Sequence, residues 1–119
     1  MKHILIILSV LMLTSVAHAD NKISGEKVFK RCVACHSFTK TKIGPPLGNI
    51  FGQKAGSVKG FKYSKAITNS DIIWDSWDLD SFLKKPRKYI KGTKMRFSGL
   101  KKKSHRDALI KYLKENQVK

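Results

Sequence analysis

Cys32-Val33-Ala34-Cys35-His36 decides how the rest of the chain is read. Two thiols three positions apart, with an imidazole directly after the second, have the spacing at which both sulfurs add across the two vinyl groups of haem and the adjacent ring reaches the iron. Other chemistries also use paired cysteines. A thioredoxin-like redox pair needs a βαβ setting, and a zinc site needs a second pair of ligands at suitable spacing. The sequence offers neither. A disulfide between Cys32 and Cys35 would close a loop too short to restrain the unfolded chain much. The expected cofactor is one haem c with its iron, covalently attached at Cys32 and Cys35 and ligated on one side by His36.

Working outward from this motif, the chain reads as short helices joined by Gly- and Pro-rich loops, an all-α single domain wrapped around one haem. Ser24 to Cys35 fits a first helix, with Ser24 as its cap and Val28, Phe29, Cys32 and Val33 as an apolar stripe. Five of the eight glycines fall at positions 44, 48, 52, 56 and 60, so this stretch is loop built for turns and for close approach to something flat. A short helix is expected at Ser64–Ser70 and a longer one at Asp75–Lys85. The longer helix has aspartates at its start and lysines at its end, the order that the helix dipole favours, and Pro86 should stop it. The last helix is expected over Ser104–Asn116, capped by Ser104, with Leu109, Tyr112 and Leu113 on one face and Asp107–Lys111 and Lys111–Glu115 as ion pairs.

One imidazole leaves the far side of the iron open. A sixth ligand favours electron transfer, and a vacant position favours gas binding or catalysis. Two candidates arise beyond residue 20: Met95 and His105. A lone methionine is often core filler, while His105 lies in the first turn of a basic helix, where solvation is the ordinary state.

The first residues look unlike the domain. Lys2 precedes the apolar run from Ile4 to Leu13, and Ala17-His18-Ala19 places small residues at the two positions a signal peptidase reads. A spanning helix needs about 20 apolar residues, so residues 1–19 are expected to be a cleaved signal peptide and residues 20–119 a soluble, periplasmic domain. Lysine and arginine number 25 against 8 acidic residues, a net charge of +17, and losing Lys2 with the leader leaves +16. Such a chain seeks anionic partners. Export, and the lack of any RNA-binding, zinc-finger or helix-turn-helix signature, exclude nucleic acid.

The sequence resembles the class I cytochromes c, and within them the mitochondrial-like and related bacterial soluble carriers. The resemblance spans nearly all of residues 20–119. It rests on Gly25 and Phe29, Cys32 to His36, Gly44-Pro45-Pro46-Leu47-Gly48, Gly60-Phe61-Lys62-Tyr63-Ser64, Trp74, Tyr89-Ile90-Lys91-Gly92-Thr93-Lys94-Met95-Arg96-Phe97, Leu109 and Tyr112. It implies that the Met95 sulfur is the sixth ligand. It implies that the Pro45 carbonyl accepts a hydrogen bond from His36 and orients the ring. It further implies that Gly25 lets the first helix approach the last, and that Tyr63 and Trp74 hydrogen-bond a haem propionate. The chain departs from the mitochondrial members at Phe82, where they commonly have tyrosine, at Ile67, where they have asparagine, and at Gln53, where they have arginine. These changes point to a drier haem interior.

The function implied is a monomeric single-electron carrier, not an enzyme. A basic face formed by Arg31, Lys42, Arg87, Lys88, Lys94, Arg96 and Lys101 to Lys103 would dock on acidic faces of membrane redox complexes, such as a quinol-oxidising complex and a terminal oxidase of a respiratory chain, with weak contact to anionic lipid. The rivals are a peroxidase-like haem enzyme, which would bind small anions at its ferric iron, and a basic module for lipid or polyanions, which would fold without haem.

Overall fold

In the computed structural model, which describes residues 22–118, the chain forms five helices joined by loops. The leader expected at 1–19 lies outside the described residues. Ser24 caps α1 (Gly25–Phe29) by accepting from the Lys27 amide at 3.2 Å. This helix is shorter than its apolar stripe suggests. After Phe29 the backbone tightens into successive turns, with Arg31 N donating to Val28 O at 3.0 Å, Cys32 N to Phe29 O at 2.8 Å and Cys35 N to Cys32 O at 3.1 Å. Bonds of this i→i+3 kind commonly finish a helix, and here they wind the chain through both cysteines.

A loop without regular structure then runs to α2 (Lys65–Thr68), capped by Ser64. An isolated bridge between Lys54 and Ile73 is the one extended pairing among the described residues. Asp75 caps α3 (Ser76–Lys84) through its side chain to the Asp78 amide at 2.7 Å. Pro86 does more than end this helix, because it opens α4 (Pro86–Tyr89). The fixed φ of proline suits a first helical position, where its missing N–H would have no partner anyway.

The last helix, α5 (Lys103–Glu115), starts one residue earlier than expected. Its cap is Lys102, without a side-chain bond, and Ser104 lies inside it. Asp107 therefore has Lys103 one turn before it and pairs with it at 2.7 Å rather than with Lys111, which pairs with Glu115 as expected. Helices α1 and α5 cross closely: a Cβ on Gly25 would lie 2.1 Å from the Ala108 carbonyl oxygen. Phe29 packs on Tyr112 with ring centroids 5.5 Å apart. Val28, Leu109 and Leu113 on this side join Leu79, Phe82 and Leu83 of α3 in one core.

Candidate cofactor site

Helices α2, α3 and α5, with the loops around them, leave a cavity of about 860 Å³ whose wall includes Cys32, Cys35, His36, Tyr63, Trp74 and Met95. Residues far apart in sequence thus meet at one space, large enough for a cofactor. Both cysteines are half-buried and form no disulfide. Burial pushes the Cys32 thiol up from its ordinary pKa, partly offset by the charge of Arg31. The group therefore stays a protonated thiol at neutral pH.

His36 is held from two directions. Its Nδ1 donates to the Pro45 carbonyl at 2.8 Å, which fixes the tautomer and leaves the Nε2 lone pair as the ring's donor. Desolvation lowers the imidazole pKa more than the Pro45 bond raises it, and the nearby Lys42 ammonium lowers it further. The ring is therefore neutral, as a metal ligand must be. On its other side, a Cβ at Gly44 would lie 2.3 Å from His36 Cε1, 2.7 Å from Nδ1 and 2.8 Å from Nε2. Only glycine leaves the ring in place there.

Met95 is half-buried on the cavity wall in a segment without regular structure, its amide donating to Thr93 Oγ1 at 3.3 Å. The Arg31 guanidinium lies over the Phe97 ring, 5.3 Å from its centroid, joining the cysteine segment to the methionine segment. Tyr63 Oη accepts from the Val58 amide at 3.2 Å, leaving its own proton to donate. Burial raises the phenol pKa against that bond, so the hydroxyl stays a donor at neutral pH. Trp74 is buried against Phe82, centroids 5.2 Å apart. Gln53, Ile67 and Phe82, the departures from the mitochondrial pattern, all line the cavity, and His105 does not.

Five cationic side chains stand on this wall: Arg31, Lys54, Lys62, Lys94 and Arg96; no carboxylate does. Lys54 and Lys62 escape the sequence reading because nothing local distinguishes them from other lysines. Gly44 has a sequence signal, its place just before Pro45. The ring it accommodates becomes visible only when the loop folds back on His36. The residues fit a flat, largely apolar group with charged ends, held through two thiols and one imidazole.

This fold and site define a small helical haem-binding protein of the covalent type. The Cytochrome c family profile matches residues 23–117. Cytochrome c type-1 of Ascaris suum is 50% identical over 95 residues, covering 77% of this chain and 85% of that protein. Cytochrome c2 of Afifella marina is 43% identical over 97 residues, 76% of this chain and 78% of that protein. Among solved structures, cytochrome cH from Methylobacterium extorquens superposes with a TM-score of 0.75 at 42% identity, covering 76% of this chain and 94% of its own. The chain belongs to the cytochrome c family of electron-transfer proteins, which carry covalently attached haem c and are not enzymes.

Proposed function

We propose that Cys32 and Cys35 are the thioether anchors of the haem, that His36 Nε2 and the Met95 sulfur are its two axial ligands, and that Tyr63 and Trp74 donate to its propionates. The observation that carries this reading is the gathering of all six side chains on one cavity, with the His36 ring held between Gly44 and the Pro45 carbonyl. When bound, haem supplies one-electron chemistry at iron, with a nitrogen and thioether ligand pair that favours the ferrous state. The chain supplies the setting. Pro45 orients the imidazole, the Phe82, Leu79 and Leu109 side chains exclude water, and Tyr63 keeps a proton to share with an anionic group.

The carrier works, in this reading, as an exported periplasmic monomer after removal of residues 1–19. Its partners are acidic faces of a quinol-oxidising complex and a terminal oxidase, with weak contact to anionic lipid. Support comes from the cationic rim of the cavity and the net charge of +16 left once Lys2 is removed from +17, which attract acidic surfaces over roughly 10 Å at 0.1 M salt.

Visible spectra of the purified protein, oxidised and reduced, test the ligand assignment. Haem that resists acid-solvent extraction, together with a weak long-wavelength sulfur-to-iron band that vanishes in Met95→Ala, is the expected result. Extractable haem overturns the thioether anchors. A ligand spectrum unchanged in Met95→Ala moves the sixth position elsewhere, to His105 first.

A further inference from the structure

Residues 90–102, which connect α4 to α5 and contain Met95, form neither helix nor strand. A ligand carried on such a segment keeps its place only if the ends of the segment are fixed. At the leading end, Tyr89 Oη donates to the Asp78 carboxylate of α3 at 2.5 Å, and the next residue, Ile90, is in the core. At the trailing end, Leu100 is 2% exposed and its amide donates to Leu83 O at 2.8 Å. A Cβ on Gly99 would lie 2.2 Å from Lys84 O, so the segment lies against the end of α3.

Arg106 of α5 completes the trailing end. Its Nη1 donates to the carbonyls of Leu100 at 2.8 Å and Lys101 at 2.9 Å, and its Nε to Asp80 of α3 at 2.7 Å. The side chain is 5% exposed. A guanidinium so buried needs a carboxylate, since carbonyls alone leave its charge uncompensated. The fork geometry of arginine lets one side chain bind the segment and α3 together.

Asp78 and Asp80 stand two residues apart on α3 and so point to different sides of it. Each serves one end of the same segment. We infer that Asp78 and Asp80, acting through Tyr89 and Arg106, are positioning residues that fix where the Met95 sulfur sits. This rests on the reading of Met95 as the sixth ligand.

Imidazole added to the ferric holo-protein is the probe, because its apparent affinity is scaled by the fraction of molecules in which Met95 has left the iron. Asp80→Asn and Tyr89→Phe should each bind imidazole about ten-fold more tightly than the parent, an opening equilibrium shifted by about 1.4 kcal/mol. Asp107→Asn, which breaks the exposed pair with Lys103 on the same helix as Arg106, should bind as the parent does. If thermal midpoints fall while imidazole affinity stays at the parent value, both contacts are ordinary stabilising ones and the inference is overturned. The sulfur-to-iron band of the parent protein is recorded first. Its absence overturns the Met95 assignment itself, whereas its presence with unchanged imidazole affinities overturns only the role of the two aspartates.

Discussion

Between Cys32 and Pro45 the chain is tied to itself at short range, whereas between Ile90 and Leu100 it depends on helices from other parts of the sequence. In the first region His36 N donates to Cys32 O at 2.8 Å, Gly44 N to Cys35 O at 2.7 Å and His36 Nδ1 to Pro45 O at 2.8 Å, while Lys42 Nζ donates to Val33 O. In the second, the fixing bonds span 11 residues at Tyr89–Asp78 and 26 at Arg106–Asp80. Loops that open locally are those with few short-range and buried contacts. The histidine wall should therefore move only with the whole fold, whereas the methionine wall can loosen by itself.

One methyl group placed in each region should affect the two walls differently. Gly44→Ala drives a Cβ to within 2.3 Å of the His36 ring, and overpacking of that kind costs typically about 1–3 kcal/mol. Gly92→Ala meets Ala66 Cβ at 3.2 Å but has φ +93°, so its cost is backbone strain of about 1–2 kcal/mol. Thermal melts with visible and far-ultraviolet detection separate the two. Gly44→Ala should lower haem and backbone midpoints together, and Gly92→Ala should lose the sulfur-to-iron band before the helices melt. The same order of loss in both variants would erase the distinction between the walls.

The same contrast explains what the sequence reveals and what it hides. Thiol spacing, the adjacent imidazole, Pro45 and the cap residue Ser24 act over a few positions, so they are legible, and Ser64 and Asp75 stand at the starts expected for their helices without being expected as caps. The first helix is shorter than its stripe because an apolar face at helical spacing does not distinguish α-helix from the tighter turns that follow Phe29. The Ser104 cap yields to Lys102, and the two extra residues of helix place Lys103 one turn before Asp107, with which it pairs. Arg106 carries a signal that could have been used: it lies at helical spacing with Leu109, Ile110 and Leu113, on the buried stripe, where a cation requires a distant carboxylate. Which carboxylate, and that it would hold the Met95 segment, depends on how α3 and α5 pack.

In charge the two walls are alike, because both contribute cations to the rim. Arg31→Glu on the cysteine wall and Lys94→Glu on the methionine wall should slow electron transfer to an acidic acceptor several-fold at low salt, and added salt should reduce the difference. Lys111→Glu makes the same change in net charge on the face of α5 turned away from Leu109 and Leu113, which line the cavity. It should slow the rate less. Stopped-flow rates across a salt series check this, and equal slowing by all three would reduce the docking face to overall basicity.

The smallest expected effect isolates the leading end of the methionine wall by its pH dependence. Burial, the hydrogen bond to Asp78 and repulsion from the Asp78 and Asp75 carboxylates push the Tyr89 phenol up to about 12, against about 10 in an unfolded chain. The folded state therefore holds the Tyr89 proton more tightly than the unfolded state does. Its contribution to stability is complete below about pH 10 and is lost as pH rises toward 12. Ionised Tyr89 could no longer donate to Asp78 and would repel it, so this decline releases one end of the Met95 segment. Other groups also titrate in this range, Tyr63 with its raised pKa among them, so the quantity to measure is the difference between the parent and Tyr89→Phe. Denaturant midpoints of both proteins, taken from pH 9 to 12, should converge as pH rises, because the phenylalanine variant lacks the bond from the start. A constant difference across that range would show that the Tyr89–Asp78 contact does not govern the alkaline behaviour of this wall.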